Sequence, residues 1–203
     1  MTTTYKSTDI AKLILTTTGC DGMDKTKLHK LLYYIQGWSL AGLGRPAFVN
    51  DLEAWMNGPV STGMRNDTAD KPCWKVVQIP LDDQLAASDG ELVSLIQLIA
   101  PFYAEKSTQQ LVDDTHSEDP WLRARQGIPE GGYGDQPISD DSLCTFFSNN
   151  VSVFGLTPSD IELFGVDSFL NSEEAYTNAD NDNEPQAHLD QSANLFYFTS
   201  TPL

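Results

Sequence analysis

The chain has 203 residues, of which 40% are hydrophobic, and a formal net charge of −17 at neutral pH. This length allows one domain of ordinary size with an extension, and so acidic a surface repels nucleic acid and anionic membranes. No apolar run approaches the length that crosses a bilayer, and the N-terminus lacks the pattern of a secretory signal. We therefore expect a cytoplasmic protein whose partners are proteins, with no direct binding of nucleic acid or membrane.

The charges are distributed unevenly along the chain. All 12 lysines and arginines lie before residue 126, together with 16 acidic residues, whereas residues 126–203 carry 13 acidic residues and no basic ones. This pattern predicts a nearly balanced compact module followed by a purely acidic part of the chain. We place the compact domain at residues 1–150 and the acidic C-terminal extension at residues 151–203. Residues 171–194 have the composition of a disordered segment.

The first half of the chain predicts helices separated by turns. Ser7 or Thr8 is expected to cap the first helix, and Asp24 to cap the strongest one, which ends near Gly44. The apolar stripe of that second helix has helical spacing. Its members are Leu28, Leu31, Leu32, Ile35 and Trp38.

A short extended segment is expected over residues 47–55, followed by a sharp turn at residues 57–60. Gly58 permits an unusual backbone angle there, and Pro59 fixes the next one. Ser61 or Thr62 then starts a short helix, and residues 74–79 are rich in β-branched residues, which favours a strand.

The second half of the chain predicts a helix over residues 91–103, kinked or divided by Pro101. Ser107 or Thr108 caps another short helix, and Ser139 caps one whose buried face carries Leu143, Phe146 and Phe147. A further short helix is expected to begin at Thr157 and Pro158. The predicted fold is mainly α with a small antiparallel β-sheet (α+β), that is, a compact helical domain plus the acidic C-terminal extension.

The sequence offers few candidates for catalysis or for cofactor binding. Cys20, Cys73 and Cys144 are widely spaced and lack zinc-ligand spacing to a histidine, so we interpret them as small buried hydrophobes and expect no metal or cofactor. His29 is expected to be a partly buried helix residue. For His116, a structural role at a helix end is favoured over catalysis with Ser117.

Other polar and aromatic groups are also expected to be structural. The turn at residues 57–60 lacks the glycines and the lysine of a phosphate-binding loop. Paired aspartates at 82–83 and 113–114 lack the spacing of a calcium loop. Tyr33, Trp38, Trp55 and Trp121 are interpreted as core residues, because a base-stacking surface would add a basic groove.

Three segments, taken in order, resemble the Panacea domain, also described as the SocA-like antitoxin or phage-associated protein family. They are residues 27–38, residues 53–60 and residues 115–121. The motif positions are Lys27, Leu31, Tyr33, Trp38, Ala54, Trp55, Gly58, Pro59, Val60, Thr115, His116, Pro120 and Trp121. The resemblance covers about residues 5–150 and leaves the acidic extension outside the shared pattern.

This resemblance implies a bacterial or phage antitoxin that neutralises a cognate toxin by direct protein–protein contact and has no enzymatic activity. The acidic residues after 126 would steer or cover a basic toxin, although the acidic extension could equally serve solubility alone. The candidate partner-binding residues are Asp140, Asp141, Glu173, Glu174, Phe196, Tyr197 and Phe198. Exposure of the terminal aromatics would also allow a homo-oligomer.

Two alternatives remain open from the sequence. The chain could be an acidic nucleic-acid mimic from a phage or mobile element, in which case its partner would compete with DNA. It could instead be a hydrolase or transferase that uses His116 with Ser117 or Cys73, and substitution of His116 by Gln would then abolish activity without unfolding the protein.

Overall fold

A computed structural model of the chain describes residues 5–20, 22–70, 76–77, 89–129 and 131–150. These residues contain seven α-helices and four short strands. In chain order they are α1 (Ser7–Thr17), β1 (Met23–Asp24), α2 (Lys25–Leu43), β2 (Leu52–Trp55), β3 (Gly58–Ser61), α3 (Thr62–Asp67), β4 (Val76–Val77), α4 (Gly90–Ala104), α5 (Thr108–Ser117), α6 (Asp119–Ala124) and α7 (Asp140–Asn149). The predicted mainly helical fold with a small antiparallel sheet is confirmed.

Helix α2 is the centre of this fold. It packs against α4 and α7 and also contacts β3, α5 and α1, and sixteen of its residues are buried. Its start and end follow the sequence signals. The side chain of Asp24 accepts the backbone N–H of Lys27 at 2.9 Å, and Gly44 closes the helix in the left-handed conformation at φ 62°.

Two predictions about the other helices are wrong. Lys6, rather than Ser7 or Thr8, is the N-cap of α1, because Ser7 is buried and its hydroxyl donates to the Asp51 carboxylate at 3.0 Å. Pro101 does not divide α4, which continues to Ala104. A proline so close to the end of a helix removes one hydrogen bond and leaves the preceding turns intact.

The strands form two antiparallel pairs. β1 pairs with β4, with Met23 opposite Val77, so part of the predicted strand at residues 74–79 is present. β2 and β3 form a hairpin. The sequence does not predict β3 as a strand, because a proline such as Pro59 argues against a strand.

An aromatic cluster fills the space between α2, α4 and α7. Tyr34 stacks on Tyr103 with ring centroids 3.7 Å apart, and the indole N–H of Trp38 donates to the Tyr103 hydroxyl at 3.1 Å. Phe147 meets Tyr33 and Trp38 edge-on. Stacked and edge-on pairs of this kind add to the free energy gained from burial alone.

The cysteine prediction is wrong for Cys20, which is exposed, whereas Cys144 is half-buried. Cys73, the helix predicted at residue 157 and the acidic segment 171–194 lie outside the described residues. So do the terminal aromatics 196–198. Among the described residues, none of the helices has the length and apolar character needed to cross a membrane.

Gly37 sets how closely α2 and α7 approach. A Cβ atom added at this position would lie 2.1–2.8 Å from ring atoms of Phe147, which is fully buried. Gly37→Ala should therefore lower the free energy of unfolding by about 1–3 kcal/mol or more through overpacking, measured by urea denaturation. Gly90→Ala is the control, because nothing lies within 4 Å of its added Cβ. Equal stability of the two variants would contradict this close approach.

Candidate functional site: a cationic pocket beside a buried hairpin

The β2–β3 hairpin turns tightly at Met56 and Asn57. Its closing pair is Trp55 and Gly58, and Ala54 lies opposite Pro59 in the next pair. Gly58 has φ 90°, as expected from the sequence. In a hairpin closed in this way, alternate residues direct their backbone groups away from the partner strand. The outward groups of β3 therefore belong to Pro59 and Ser61.

Two side chains of α2 bind these outward groups of β3. The ammonium of Lys30 donates to the carbonyl oxygen of Pro59 at 2.9 Å. Nδ1 of His29 accepts the backbone N–H of Ser61 at 3.2 Å. All four residues are buried or nearly so, and Pro59 has no N–H that would need a partner. Helix α2 thus takes the place of a third strand along this edge.

The outward groups of β2 are satisfied from the other side. The backbone N–H of Ala54 donates to the carbonyl of Gln136 at 2.8 Å, and a guanidinium N–H of Arg125 donates to the Ala54 carbonyl at 2.9 Å. The carbonyl of Trp55, which belongs to the closing pair, accepts the indole N–H of Trp121 at 2.9 Å. Side chains from α2, from α6 and from Arg125 just after it therefore fix both edges of the hairpin.

Helix α5 packs against the hairpin near Gly58. The hydroxyl of Thr115 donates to the Leu111 carbonyl at 2.9 Å and lies close to Gly58, since a Cβ at Gly58 would be 2.8 Å from it. His116 stacks on Trp121 with centroids 4.2 Å apart. Thr115 thus satisfies helix carbonyls as expected, and His116 both stacks on Trp121 and hydrogen-bonds the backbone of Met56.

His116 is not arranged as a general base for Ser117. The hydroxyl of Ser117 donates to the carbonyl of Asp114 at 2.7 Å. Burial is the main cause that lowers the pKa of His116, and the positive charge of Lys30 adds to it. Nε2 of His116 is buried without a hydrogen-bond partner among the described residues.

A pocket of about 650 Å³ opens beside the hairpin. It is bounded by the start of α2, the hairpin turn, α3 and the segment 133–135. Its lining residues are Lys25, Thr26, His29, Lys30, Trp55, Met56, Asn57, Val60, Arg65, Tyr133, Gly134 and Asp135. Three of them are cationic and one is acidic, so the pocket has the opposite charge to the protein as a whole.

Burial controls the ionisation of the pocket residues. Lys30 is 0% exposed, and desolvation lowers its pKa to about 7. Burial, followed by the charges of Lys30, Lys25 and Arg65, lowers the pKa of His29 to about 3. His29 is therefore neutral at physiological pH, and its proton is on Nε2 because Nδ1 accepts from Ser61.

A buried carboxyl lies behind the hairpin. Glu118 is 5% exposed, and its Oε1 accepts the hydroxyl of Tyr34 at 2.9 Å. Desolvation is the largest cause that raises its pKa to about 7. Glu118 thus joins the α5–α6 junction to the aromatic cluster around α2.

Most motif residues chosen from the sequence contribute to the packing. Leu31, Tyr33 and Trp38 are buried in the core, as expected. Trp121 is partly buried against it. The expectation that Trp55 is a core residue is wrong, because Trp55 is half-buried and lines the pocket.

The other motif positions frame the site or support it. Four of them are buried, namely Ala54, Gly58, Pro59 and Pro120. Val60 is half-buried on the pocket wall. The ammonium of Lys27 donates to the carbonyl of Ala104. Of the proposed partner-binding residues, Asp140 accepts the side-chain N–H of Asn50 at 2.7 Å, and Asp141 is exposed. Glu173, Glu174 and residues 196–198 lie outside the described residues.

Sequence reasoning missed the pocket cations and the buried Glu118. One signal could have indicated the burial of Lys30. No charged residue lies between Lys30 and Arg45, and a helix that is apolar on every side is usually enclosed by its neighbours. The role of Arg125, which binds Ala54 from 71 positions away, has no comparable signal.

Comparison with known proteins links part of the chain to a family. Residues 28–122 match the family described as antitoxin SocA-like, Panacea domain. This range begins in α2, includes the whole hairpin and α3, and ends in α6. The pocket residues at the start of α2 and in segment 133–135 lie outside it. No curated protein and no solved structure gives a match.

Gly58→Ala tests the close approach of the hairpin to α2 and α5. The new Cβ would lie 2.7 Å from Nζ of Lys30 at a positive φ, so we expect unfolding free energy to fall by about 2–4 kcal/mol from strain and displacement together. Gly127→Ala is the matched control, because φ is 85° there and nothing lies within 4 Å. Urea denaturation should show the larger loss at Gly58, and equal losses would argue against the contact.

Glu118→Gln tests the buried carboxyl. A pKa raised to about 7 means that the native state holds a proton between pH 4.5 and 7 that the unfolded state releases. The stability from this proton is present below pH 4.5 and is lost as pH rises through 7, by on the order of 3 kcal/mol. Gln keeps the oxygen that accepts from Tyr34 and does not titrate.

The measurement for Glu118→Gln is urea unfolding of both proteins at several pH values from 4 to 8. The wild type should lose stability relative to the variant as pH rises. Other groups, including His29, titrate equally in both proteins and cancel in this difference. Two parallel stability curves would show that Glu118 ionises normally.

Proposed function

We propose that the protein is an antitoxin that neutralises a cognate protein toxin by direct binding, because residues 28–122 match the family described as antitoxin SocA-like, Panacea domain. The family match is the observation that carries the proposal. Family membership also suggests a non-enzymatic protein. The position of Ser117, whose hydroxyl is directed to a helix carbonyl, supports this against hydrolysis with His116.

The motif residues and the neighbouring Lys30 and Arg125 support a scaffold in which recognition lies elsewhere. Lys30, Trp121 and Arg125 are engaged with hairpin carbonyls, and Tyr33 and Trp38 are buried. Side chains occupied in this way have little surface left for a large partner. We therefore assign toxin recognition to other exposed surfaces and to the acidic residues after 126.

The charge distribution favours a basic toxin. Residues 126–203 carry 13 acidic and no basic side chains, and a field of one sign accelerates the encounter with an oppositely charged partner. A toxin that acts on nucleic acid or nucleotides would have a basic site for such a segment to cover. The same charge distribution favours, as a second candidate, a nucleic-acid mimic that inhibits a DNA-binding enzyme.

Co-expression with the product of the neighbouring gene tests the proposal, with growth rescue and co-purification as readouts. The full chain should rescue growth and bind, and its affinity should fall as salt rises from 50 to 500 mM, roughly as expected for screened charges. The matched variant is a truncation after Asn150. Rescue by the full chain alone assigns neutralisation to the extension, whereas rescue by both assigns it to the domain.

A harmless neighbour that does not co-purify would contradict the antitoxin proposal. Competition between DNA and a captured partner would instead favour the mimic. An affinity that does not change with salt would remove the electrostatic role of the acidic residues while leaving direct binding in place.

A further inference from the structure

One donor in the pocket wall has no partner within the protein. Nδ1 of His29 accepts the backbone N–H of Ser61 at 3.2 Å, so the neutral ring carries its proton on Nε2. Among the described residues, this Nε2–H makes no hydrogen bond. The buried side-chain polar atoms that lack a partner in the same part of the chain lie elsewhere, on Tyr33, Asp51, His116 and Glu118. Nε2 of His29 is therefore accessible from the pocket, which this 5% exposed residue lines.

The charged groups around the pocket leave this neutral donor as its innermost open polar group. Lys30 is 0% exposed, and its ammonium is already bound to the hairpin. Lys25 is 6% exposed and donates to a backbone carbonyl at 2.8 Å. Arg65 and Asp135 are both exposed at the rim and have opposite charges. This arrangement favours an uncharged ligand that brings a hydrogen-bond acceptor into the pocket.

The walls of the pocket are suited to a planar ligand. Its volume of about 650 Å³ is within the range of roughly 300–1,000 Å³ that holds small molecules. The indole of Trp55 is fixed in the wall by its N–H, which donates to Glu53 at 2.7 Å. Met56 and Val60 add apolar surface. Tyr133 at the rim is 96% exposed, so its whole ring is available to pack against a ligand.

We propose that this pocket binds an uncharged heteroaromatic molecule of about nucleobase size, whose ring nitrogen or carbonyl oxygen accepts the Nε2–H of His29 while its ring packs against Trp55. The single donor makes the site selective. A ligand of the same shape without an acceptor would exclude water and leave the N–H of His29 unpaired, which costs free energy.

The donor keeps one protonation state over the physiological pH range. Burial is the main cause that lowers the pKa of His29 to about 3, so the ring stays neutral and the ligand binds without proton uptake at His29. Binding of an uncharged ligand should also be insensitive to salt, in contrast to the proposed contact with a basic toxin. The site is independent of toxin neutralisation, since binding can be measured without a toxin.

The test is isothermal titration calorimetry of the full chain at pH 7.5, supported by thermal unfolding. The probes are benzimidazole and adenine. Indole is the matched control, because it has the shape of benzimidazole without the acceptor nitrogen. We expect benzimidazole to bind about ten times more tightly than indole, from the hydrogen bond made and the unpaired donor avoided, and to raise Tm. Its affinity should be the same at about 50 and about 500 mM salt.

The variant His29→Asn tests the donor. The carboxamide oxygen of Asn takes the place of Nδ1 and can still accept the N–H of Ser61, whereas the Nε2–H is removed. Affinity for benzimidazole should fall about tenfold, to that of indole, while affinity for indole stays unchanged. Loss of this preference is a readout that general damage to the fold would not give.

The variant Trp55→Leu tests the aromatic wall and leaves the main-chain bonds of the hairpin in place. It should weaken the binding of benzimidazole and of indole at least fivefold. Phe102→Leu is the matched control, because Phe102 is also a partly exposed aromatic residue and does not line the pocket. If His29→Asn fails to fold, the preference of the wild type for benzimidazole over indole and the Trp55 variant together decide the test.

Several results would overturn the proposal. They are no binding of benzimidazole or adenine at millimolar concentration, equal affinity of the wild type for benzimidazole and indole, an unchanged preference in a folded His29→Asn variant, or equal losses in the Trp55 and Phe102 variants. Each of these outcomes leaves the antitoxin proposal unaffected.

Discussion

The fold depends on satisfying the backbone of a two-stranded hairpin that has no full sheet around it. Buried N–H and C=O groups need partners, and an isolated hairpin leaves half of them unpaired. Here His29 and Lys30 supply partners along one edge, and Trp121 and Arg125 supply them along the other. The helices around the hairpin are therefore held in register by side-chain bonds to its main chain.

This constraint explains why the motif residues occur in three separate segments. The first segment provides α2 and its polar side chains, the second forms the hairpin, and the third brings Thr115 and Trp121 against the turn at Gly58. Each segment lacks a partner without the other two. The range matched by the family model, residues 28–122, includes residues of all three segments, as expected for a structural unit that needs each of them.

The same constraint creates the chemistry of the pocket. A lysine that reaches a buried carbonyl must bring its ammonium into the interior, and Lys30 does so without a carboxylate in contact among the described residues. The protein thus combines a cationic pocket with a strongly acidic sequence after residue 126.

The sequence by itself determined the local elements and the resemblance to a family that residues 28–122 match. Asp24, Ser107 and Ser139 cap helices as predicted, because a cap acts over three residues, and Gly58 adopts its positive φ for the same local reason. It did not determine the strand β3, the half-exposed position of Trp55 or the pocket. The contacts that hold the hairpin join residues far apart in the sequence. Lys30 and Pro59 are 29 positions apart, and Arg125 and Ala54 are 71 positions apart. Only tertiary structure decides such pairs, because a side chain's partner across the fold leaves no periodic trace in a single sequence.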